Sequence, residues 1–100
     1  MKRILWWLIA GTKGGRTRSE IIDALADTPS NANQLTEQLG YDYKTIRHHL
    51  EVLVDNKIIT QEGDRYGAVY FLTDTMEKNL EIYQEIRGKI KKPKTKKDKK

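Results

Sequence analysis

A run of polar and basic side chains from Tyr43 to His48 has the residue types that contact nucleic acids. Lys44 and Arg47 are cationic, and Tyr43 and Thr45 carry hydroxyl groups. Arginine can bond a guanine edge through two hydrogen bonds, whereas lysine, threonine and tyrosine can contact phosphate or base. The same residues also suit an ordinary solvated helix face, so the elements that position them decide between the two interpretations.

The helix that carries this run is predicted from Tyr43 to Asp55. Asp42 is its expected N-cap, because a carboxylate at that position can accept a hydrogen bond from the backbone N–H of Thr45. The other face bears an apolar stripe with helical spacing, formed by Ile46, Leu50, Leu53 and Val54. If this stripe is buried, Arg47 and its polar neighbours must point outward.

The sequence contains little that could support catalysis or metal binding. It has no cysteine, which excludes disulfides and thiolate metal sites. His48 and His49 are adjacent, so on a helix they point about 100° apart, and neither has a second ligand four residues on. His49 lies beside the apolar stripe and is expected to be packed and hydrogen-bonded. With no nucleophile–base pair, phosphate loop or carboxylate dyad, we expect neither an enzyme nor a metal or cofactor site.

Another helix is predicted shortly before the helix 43–55. It is predicted over Ala32–Leu39, with Asn31 and Gln34 forming a capping box and Gly40 following its last residue. Further upstream, a helix over about 16–26 follows a Gly-Gly turn. Only two residues separate the helices 32–39 and 43–55, which forces a sharp angle between them.

A β-hairpin is predicted after these helices. Residues 58–61 and 68–72 have strand character, and the segment between them is rich in turn residues. Arg65 at its tip could enter a minor groove, where the negative potential is strong. It could equally be an exposed turn charge, since phosphate would repel the adjacent Asp64.

Two apolar helices flank this core. The first is predicted over 2–10, and the last begins at Thr73 or Asp74 and extends to Ile90. Both are more apolar than a small monomeric core requires, so we expect them to pack across the axis of a homodimer, although packing on each other in a monomer is the alternative. The expected dimer contacts are Leu5, Trp6, Leu8, Leu80, Tyr83 and Ile86.

The charge is unevenly distributed along the chain. Residues 91–100 contain seven lysines and one aspartate, which leaves a net charge of about −1 for residues 1–90 out of the total of +5. This tail is predicted to be disordered, and it either adds sequence-independent attraction to DNA or only aids solubility. Residues 1–18, in contrast, hold five cations and no acid.

The predicted fold is mainly α with a small β-hairpin: a winged helix-turn-helix with N- and C-terminal flanking helices. Residues 1–90 are expected to form one domain. The apolar run 4–10 is too short to span a bilayer and lacks a cleavage site, so we predict a cytoplasmic protein without membrane contact.

The segment DYKTIRHHLEVLVDNKII, at 42–59, resembles the recognition helix and following strand of ArsR-like winged helix-turn-helix regulators, in particular archaeal-type members. The matching residues are Thr45-Ile46, His49-Leu50, Leu53 and Ile58-Ile59, with Asn33-Gln34-Leu35 and Leu39-Gly40 upstream. The resemblance covers about residues 3–90. It departs from the family at Lys57, where a glycine is usual, so Asn56 or Lys57 must adopt an unusual backbone conformation.

Membership of that family implies a homodimer that represses transcription by occupying an operator until a signal releases it. By position, Tyr43, Lys44, Arg47 and His48 would face DNA, and Arg65 would lie in the wing. The cysteines of metal-sensing members are missing, so no effector is predicted.

We therefore expect a sequence-specific regulator that reads the major groove of double-stranded DNA with helix 43–55. The alternative is a winged-helix module that binds another protein and no nucleic acid. Such a module would retain its partner at salt concentrations that release DNA.

Overall fold

The computed structural model describes residues 1–64 and 67–99 and the side chains of residues 1–64 and 67–90. The helices are α1 (Lys2–Leu5, continued by a π-helix over Trp6–Ala10), α2 (Gly15–Asp27), α3 (Ala32–Leu39), α4 (Tyr43–Asp55), α5 (Asp74–Lys78) and α6 (Leu80–Lys99). The strands are β1 (Ser30–Asn31), β2 (Ile59–Glu62) and β3 (Val69–Leu72). In the part of the chain described, no helix has both the length and the apolarity needed to cross a membrane.

The N-terminal helix, α1 with its π-helical continuation, lies partly inside the fold. Leu5, Leu8 and Ile9 are fully buried, whereas Trp6 and Trp7 are 39% and 57% exposed. A glycine is required where the chain then turns into α2. A Cβ at Gly15 would lie 1.8 Å from the carbonyl oxygen of Ile9, so any larger residue would push the two segments apart.

The two helices α3 and α4 form the predicted helix-turn-helix. Asn31 and Gln34 make the expected capping box, with both hydrogen bonds at 2.8 Å. Gly40 ends α3 in the left-handed conformation, at φ +80°. Asp42 then caps α4 by accepting from the Thr45 N–H at 2.8 Å. The bounds of both helices agree with the sequence prediction.

The sheet has one strand more than predicted. Its order is β1-β3-β2, all antiparallel, with Gln61 opposite Tyr70 and Ser30 also opposite Tyr70 on the other side. The two long strands form the wing, each beginning one residue later than expected. Lys57 has φ +62°, which confirms the unusual backbone conformation predicted at Asn56 or Lys57.

The C-terminal part is two helices where one was predicted. Thr73 caps α5 as expected, by accepting from the Met76 N–H at 3.1 Å. Asn79 interrupts the helix, and its side-chain amide donates to the Thr75 carbonyl at 2.8 Å. The helix α6 continues to Lys99, past the predicted end at Ile90 and through most of the lysine-rich segment 91–100, which was predicted to be disordered. The side chains of this segment lie outside the described residues.

Candidate nucleic-acid interface

The orientation of α4 is fixed by its apolar stripe. Ile46, Leu50 and Leu53 have no exposed surface, and each fully buried side chain of this size stabilises the fold by about 1.5–3 kcal/mol. A rotation of the helix about its axis would expose all three side chains. The free energy lost in this way would exceed what new contacts of the polar face could contribute. The structure therefore confirms that the stripe points inward.

The face opposite this stripe is open at the N-terminal end of α4. Tyr43 is 47% exposed, Lys44 and His48 are exposed, and Thr45 is half-buried. The Asp42 cap lies beside them, and its hydrogen bonds from Thr45 lower the pKa of its carboxyl group. The cap also uses one of the backbone N–H groups of the first turn, so that N–H is not available to a phosphate.

Arg47 is less free than its neighbours. Its Nη1 donates to the hydroxyl of Tyr70 on β3 at 2.7 Å, and its Nη2 lies 3.8 Å from a carboxylate oxygen of Glu51. Its side chain is 30% exposed. The guanidinium group thus lies between α4 and the wing, in a shallow cleft that Gln61 and Val54 also line.

The tip of the wing is described only in part. Gly63 has φ +100°, and the backbone N–H of Gly67 donates to Asp64 at 3.2 Å. Arg65 lies outside the described residues, and its predicted contact with a minor groove stays a prediction.

The two histidines have different environments. His48 is exposed, whereas His49 is only 8% exposed and its Nδ1 lies 3.3 Å from Nη1 of Arg18. Burial, followed by the charges of Arg18 and His48, lowers the pKa of His49 below its ordinary value of 6.5. Among the described residues no three potential ligands come close enough to hold a metal ion.

Sequence reasoning missed the partners of these side chains. Arg18 stands three residues before Ile21 and seven before Leu25, on the apolar face of α2, so helical spacing alone would have marked it as buried. Tyr70 alternates with the exposed Val69 on β3, which similarly places it on the inner face of the sheet.

The residues predicted to form a dimer differ in their burial within the chain. Leu5, Leu8, Tyr83 and Ile86 are buried inside the single chain, Leu80 is half-buried and Trp6 is exposed. The two end helices therefore do pack together within one chain, as the monomer alternative foresaw. Contacts across a dimer axis stay a prediction, and they would have to involve the accessible residues.

Comparison with known proteins agrees with this geometry. Residues 15–61 match a protein-family model described as bacterial regulatory protein, arsR family. A search of curated proteins gave no significant match.

Solved structures with a similar fold include three that each overlap most of this chain. The chain resembles the reduced form of the transcriptional regulator YodB from B. subtilis, at TM-score 0.65 and 23% identity, over 78% of this chain and 80% of that one. A probable transcriptional regulator from Pseudomonas aeruginosa gives TM-score 0.66 and 22% identity, over 92% and 75%. A mutant of ZitR from Lactococcus lactis gives 0.59 and 22%, over 80% and 64%.

The matched segment 15–61 runs from the start of α2 into β2 and contains the whole helix-turn-helix with its exposed face. The structural matches show the same winged-helix fold around it. None of these comparisons tests the archaeal-type resemblance. Together, the exposed end of α4, the wing and the match of residues 15–61 to the arsR family model support a DNA-binding transcriptional regulator with a winged helix-turn-helix fold.

Proposed function

We propose that this protein is a cytoplasmic homodimeric repressor that inserts α4 of each subunit into the major groove of a palindromic DNA site. The observation that carries the proposal is the complete burial of Ile46, Leu50 and Leu53, which turns the polar end of α4 outward. It acts by occupying DNA and catalyses no reaction. The side chains assigned to DNA contact are Tyr43, Lys44, Thr45, Arg47 and His48, with Arg65 in the wing.

Different parts of this face would have different roles. Lys44, as a mobile point charge, suits a phosphate, and its contribution should depend strongly on salt. Tyr43 combines an exposed ring with a hydroxyl group, so it suits a thymine methyl group or a phosphate. Arg47 suits a guanine, and to reach one it must give up its hydrogen bond to Tyr70 and a long, exposed ion pair with Glu51.

The cost of releasing Arg47 is comparable with what a base contact returns. A hydrogen bond from a charged donor contributes about 1.5–3 kcal/mol net, and an exposed ion pair about 0–1 kcal/mol. A good bidentate contact with a base is worth about 1–3 kcal/mol of discrimination. Tyr70 and Glu51 therefore hold Arg47 in a defined place, and the contact of Arg47 with DNA has to offset the loss of these interactions.

The homodimer is proposed to use the accessible surface of the N-terminal helix and the start of α6. Trp6 and Trp7 offer large exposed rings, and aromatic side chains are enriched in protein interfaces. Leu80 is half-buried at the first residue of α6. Leu5, Leu8, Tyr83 and Ile86 would support this surface from within the chain.

The experiment that tests the proposed function is selection of bound DNA sequences from a random duplex pool. We expect an enriched palindrome whose half-sites lie about one helical turn, roughly 34–36 Å, apart. A motif without two-fold symmetry would contradict the dimer. Absence of any enriched motif, together with capture of a protein partner at salt concentrations that release DNA, would favour the interaction module.

A further inference from the structure

Arg18 is a cation buried at the junction of three segments. It is 6% exposed, its Nε donates to the Leu8 carbonyl at 3.0 Å, and its Nη2 donates to the Thr12 hydroxyl. Its Nη1 lies 3.3 Å from Nδ1 of His49 on α4. Among the side chains described, no carboxylate is paired with it. One guanidinium group thus joins the N-terminal helix, the loop that follows it and α4.

The contact with His49 defines the protonation state of that ring. A guanidinium group has five N–H donors and no acceptor, so Nδ1 of His49 must accept and cannot carry a proton. The ring is neutral, with its proton on Nε2. A second proton on Nδ1 would turn an N–H toward Arg18 and bring two positive charges together.

Among the described residues, no negatively charged group acts on His49 to compensate such a charge. The charged or titratable groups acting on it are Arg18 from α2 and His48 on α4, whose ring centre lies 5.0 Å away. The N-terminal helix and the loop contribute a carbonyl and a hydroxyl group, both used by Arg18. Gly14 closes the site, since a Cβ there would lie 2.6 Å from Cε1 of His49.

The contacts of Arg18 with Leu8 and His49 form a link that connects the N-terminal helix to α4. Leu8 belongs to the helix that exposes Trp6 and Trp7, and His49 is adjacent to His48 on the exposed end of α4. We propose that Arg18 and His49 are positioning residues that hold α4 against the N-terminal helix, and that acidification opens this link by protonating His49. The opening of the link is inferred from this geometry alone. Only its effect on DNA binding rests on the proposed function.

The sign of the effect follows from the pKa of His49, which burial and Arg18 lower below 6.5. The unfolded chain then binds the proton more readily than the folded chain. The stability that the link contributes is complete above about pH 6.5 and is lost as the pH falls from there through the folded-state pKa.

Tryptophan fluorescence tests the opening without DNA. Both tryptophans of the chain are on the N-terminal helix, so their emission reports on that helix alone. We expect a reversible change in emission below about pH 6.5 while the far-ultraviolet circular dichroism stays folded. His49→Gln, which keeps a neutral acceptor, should abolish the change, and the matched His48→Gln should retain it.

Two results would overturn the proposal. One is a wild-type emission that stays constant from about pH 7.5 to 4.5, and the other is an unaltered transition in His49→Gln. If His49→Gln does not fold, the ring resonances of His49 in the wild-type protein replace it. They should titrate with the midpoint of the fluorescence change, and a different midpoint would equally contradict the link.

The DNA consequence is measured on the duplex enriched by selection or, failing enrichment, on a random-sequence duplex. In the His48→Gln background, which removes the exposed imidazole, affinity should fall about tenfold from about pH 7.5 to 5.0. Adding His49→Gln should make the affinity independent of pH in this range.

If the fluorescence transition depends on His49 but no DNA binds at any pH, the link holds and the proposed function fails. If DNA binds with a pH dependence that His49→Gln leaves unchanged, the link is not what positions α4.

Discussion

Nη1 of Arg47 on α4 donates to the hydroxyl of Tyr70 on β3 at 2.7 Å, which ties α4 to the central strand of the sheet. Tyr70 itself is buried, so its hydroxyl is a fixed point from which the arginine is held. The helix α4 and the wing, the two elements that contact DNA in the proposed function, are therefore coupled through Arg47.

This relationship predicts energetic coupling between the two residues. Tyr70→Phe and Arg47→Met each remove one partner while keeping most of the packing, and the double variant should lose less than the sum of the two. The coupling in free energy of unfolding should be about 1.5–3 kcal/mol, measured by urea denaturation. Arg16→Met, which removes a long, exposed ion pair with Glu20, is the control and should show no coupling to Tyr70. A coupling indistinguishable from that control would mean that the hydrogen bond contributes nothing in solution.

Two glycines should respond to alanine in opposite directions. At Gly15 the added Cβ would meet the backbone of Ile9, so Gly15→Ala should lower the free energy of unfolding by about 1–3 kcal/mol. At Gly88, in α6, nothing lies within 4 Å of the added Cβ, and the same change should raise it by about 0.5–1 kcal/mol. Thermal denaturation compares the two variants directly. Equal effects would show that the close approach of α2 to the N-terminal helix is not maintained.

The buried hydroxyl of Tyr83 should make the protein less stable at alkaline pH. Its hydroxyl lies 2.7 Å from Asp23 and 2.9 Å from the Ser19 carbonyl, and burial and Asp23 raise the pKa of Tyr83 well above its ordinary value of 10.0. The folded chain thus retains this proton longer than the unfolded chain, so the contribution is present below about pH 10 and is lost as the pH rises above it.

Urea denaturation at about pH 8 and pH 10.5 measures this loss. Tyr83→Phe should have a lower free energy of unfolding than the wild type at the lower pH, by about 1.5–3 kcal/mol, because its hydrogen bond to a carboxylate is lost. Between these two pH values the free energy of unfolding of Tyr83→Phe should fall less than that of the wild type. Tyr43→Phe, which alters an exposed tyrosine, should behave as the wild type does. If the free energy of unfolding falls between the two pH values by as much in Tyr83→Phe as in the wild type, other groups cause the loss and the prediction is wrong.

The proposed dimer should depend on the exposed tryptophans. Trp6→Asp places a charge on accessible apolar surface, so sedimentation should show the chain mass instead of twice that mass. Val69→Asp makes the same kind of change on the wing and should leave the dimer intact. A charge at Tyr83 would be uninformative, because that side chain is inside the single-chain core. A wild-type monomer at tens of micromolar would contradict the dimer.

Local signals in the sequence were sufficient for the helix-turn-helix. The Asn31 capping box, Gly40 and the Asp42 cap fix both ends of α3 and the start of α4, because each acts within one turn of the chain. The apolar stripe of α4 likewise fixes which face is exposed. The positive φ at Lys57 was predicted because the resembling family usually has a glycine at this position, where the backbone needs that conformation.

Features that depend on distant contacts were not predicted. The two-residue β1 exists only because Ser30 and Asn31 pair with β3, some forty residues later. The Arg18–His49 and Arg47–Tyr70 contacts bring together residues 31 and 23 positions apart. The burial of the predicted dimer residues has the same origin, since α6 folds back onto the N-terminal helix and covers Leu5 and Leu8 within one chain.

The most direct test of the central claim is the affinity of Arg47→Ala and Lys44→Ala for the selected duplex across a range of salt concentrations. Arg47→Ala should lose about 1–3 kcal/mol and relax specificity at one base pair, whereas Lys44→Ala should lose affinity uniformly and reduce the salt slope by about 1. Lys89→Ala, an exposed lysine on α6, should bind as the wild type does. If both α4 variants bind as the wild type does while a chain ending at Ile90 loses binding, the lysine-rich tail, and not α4, would be the DNA-binding element.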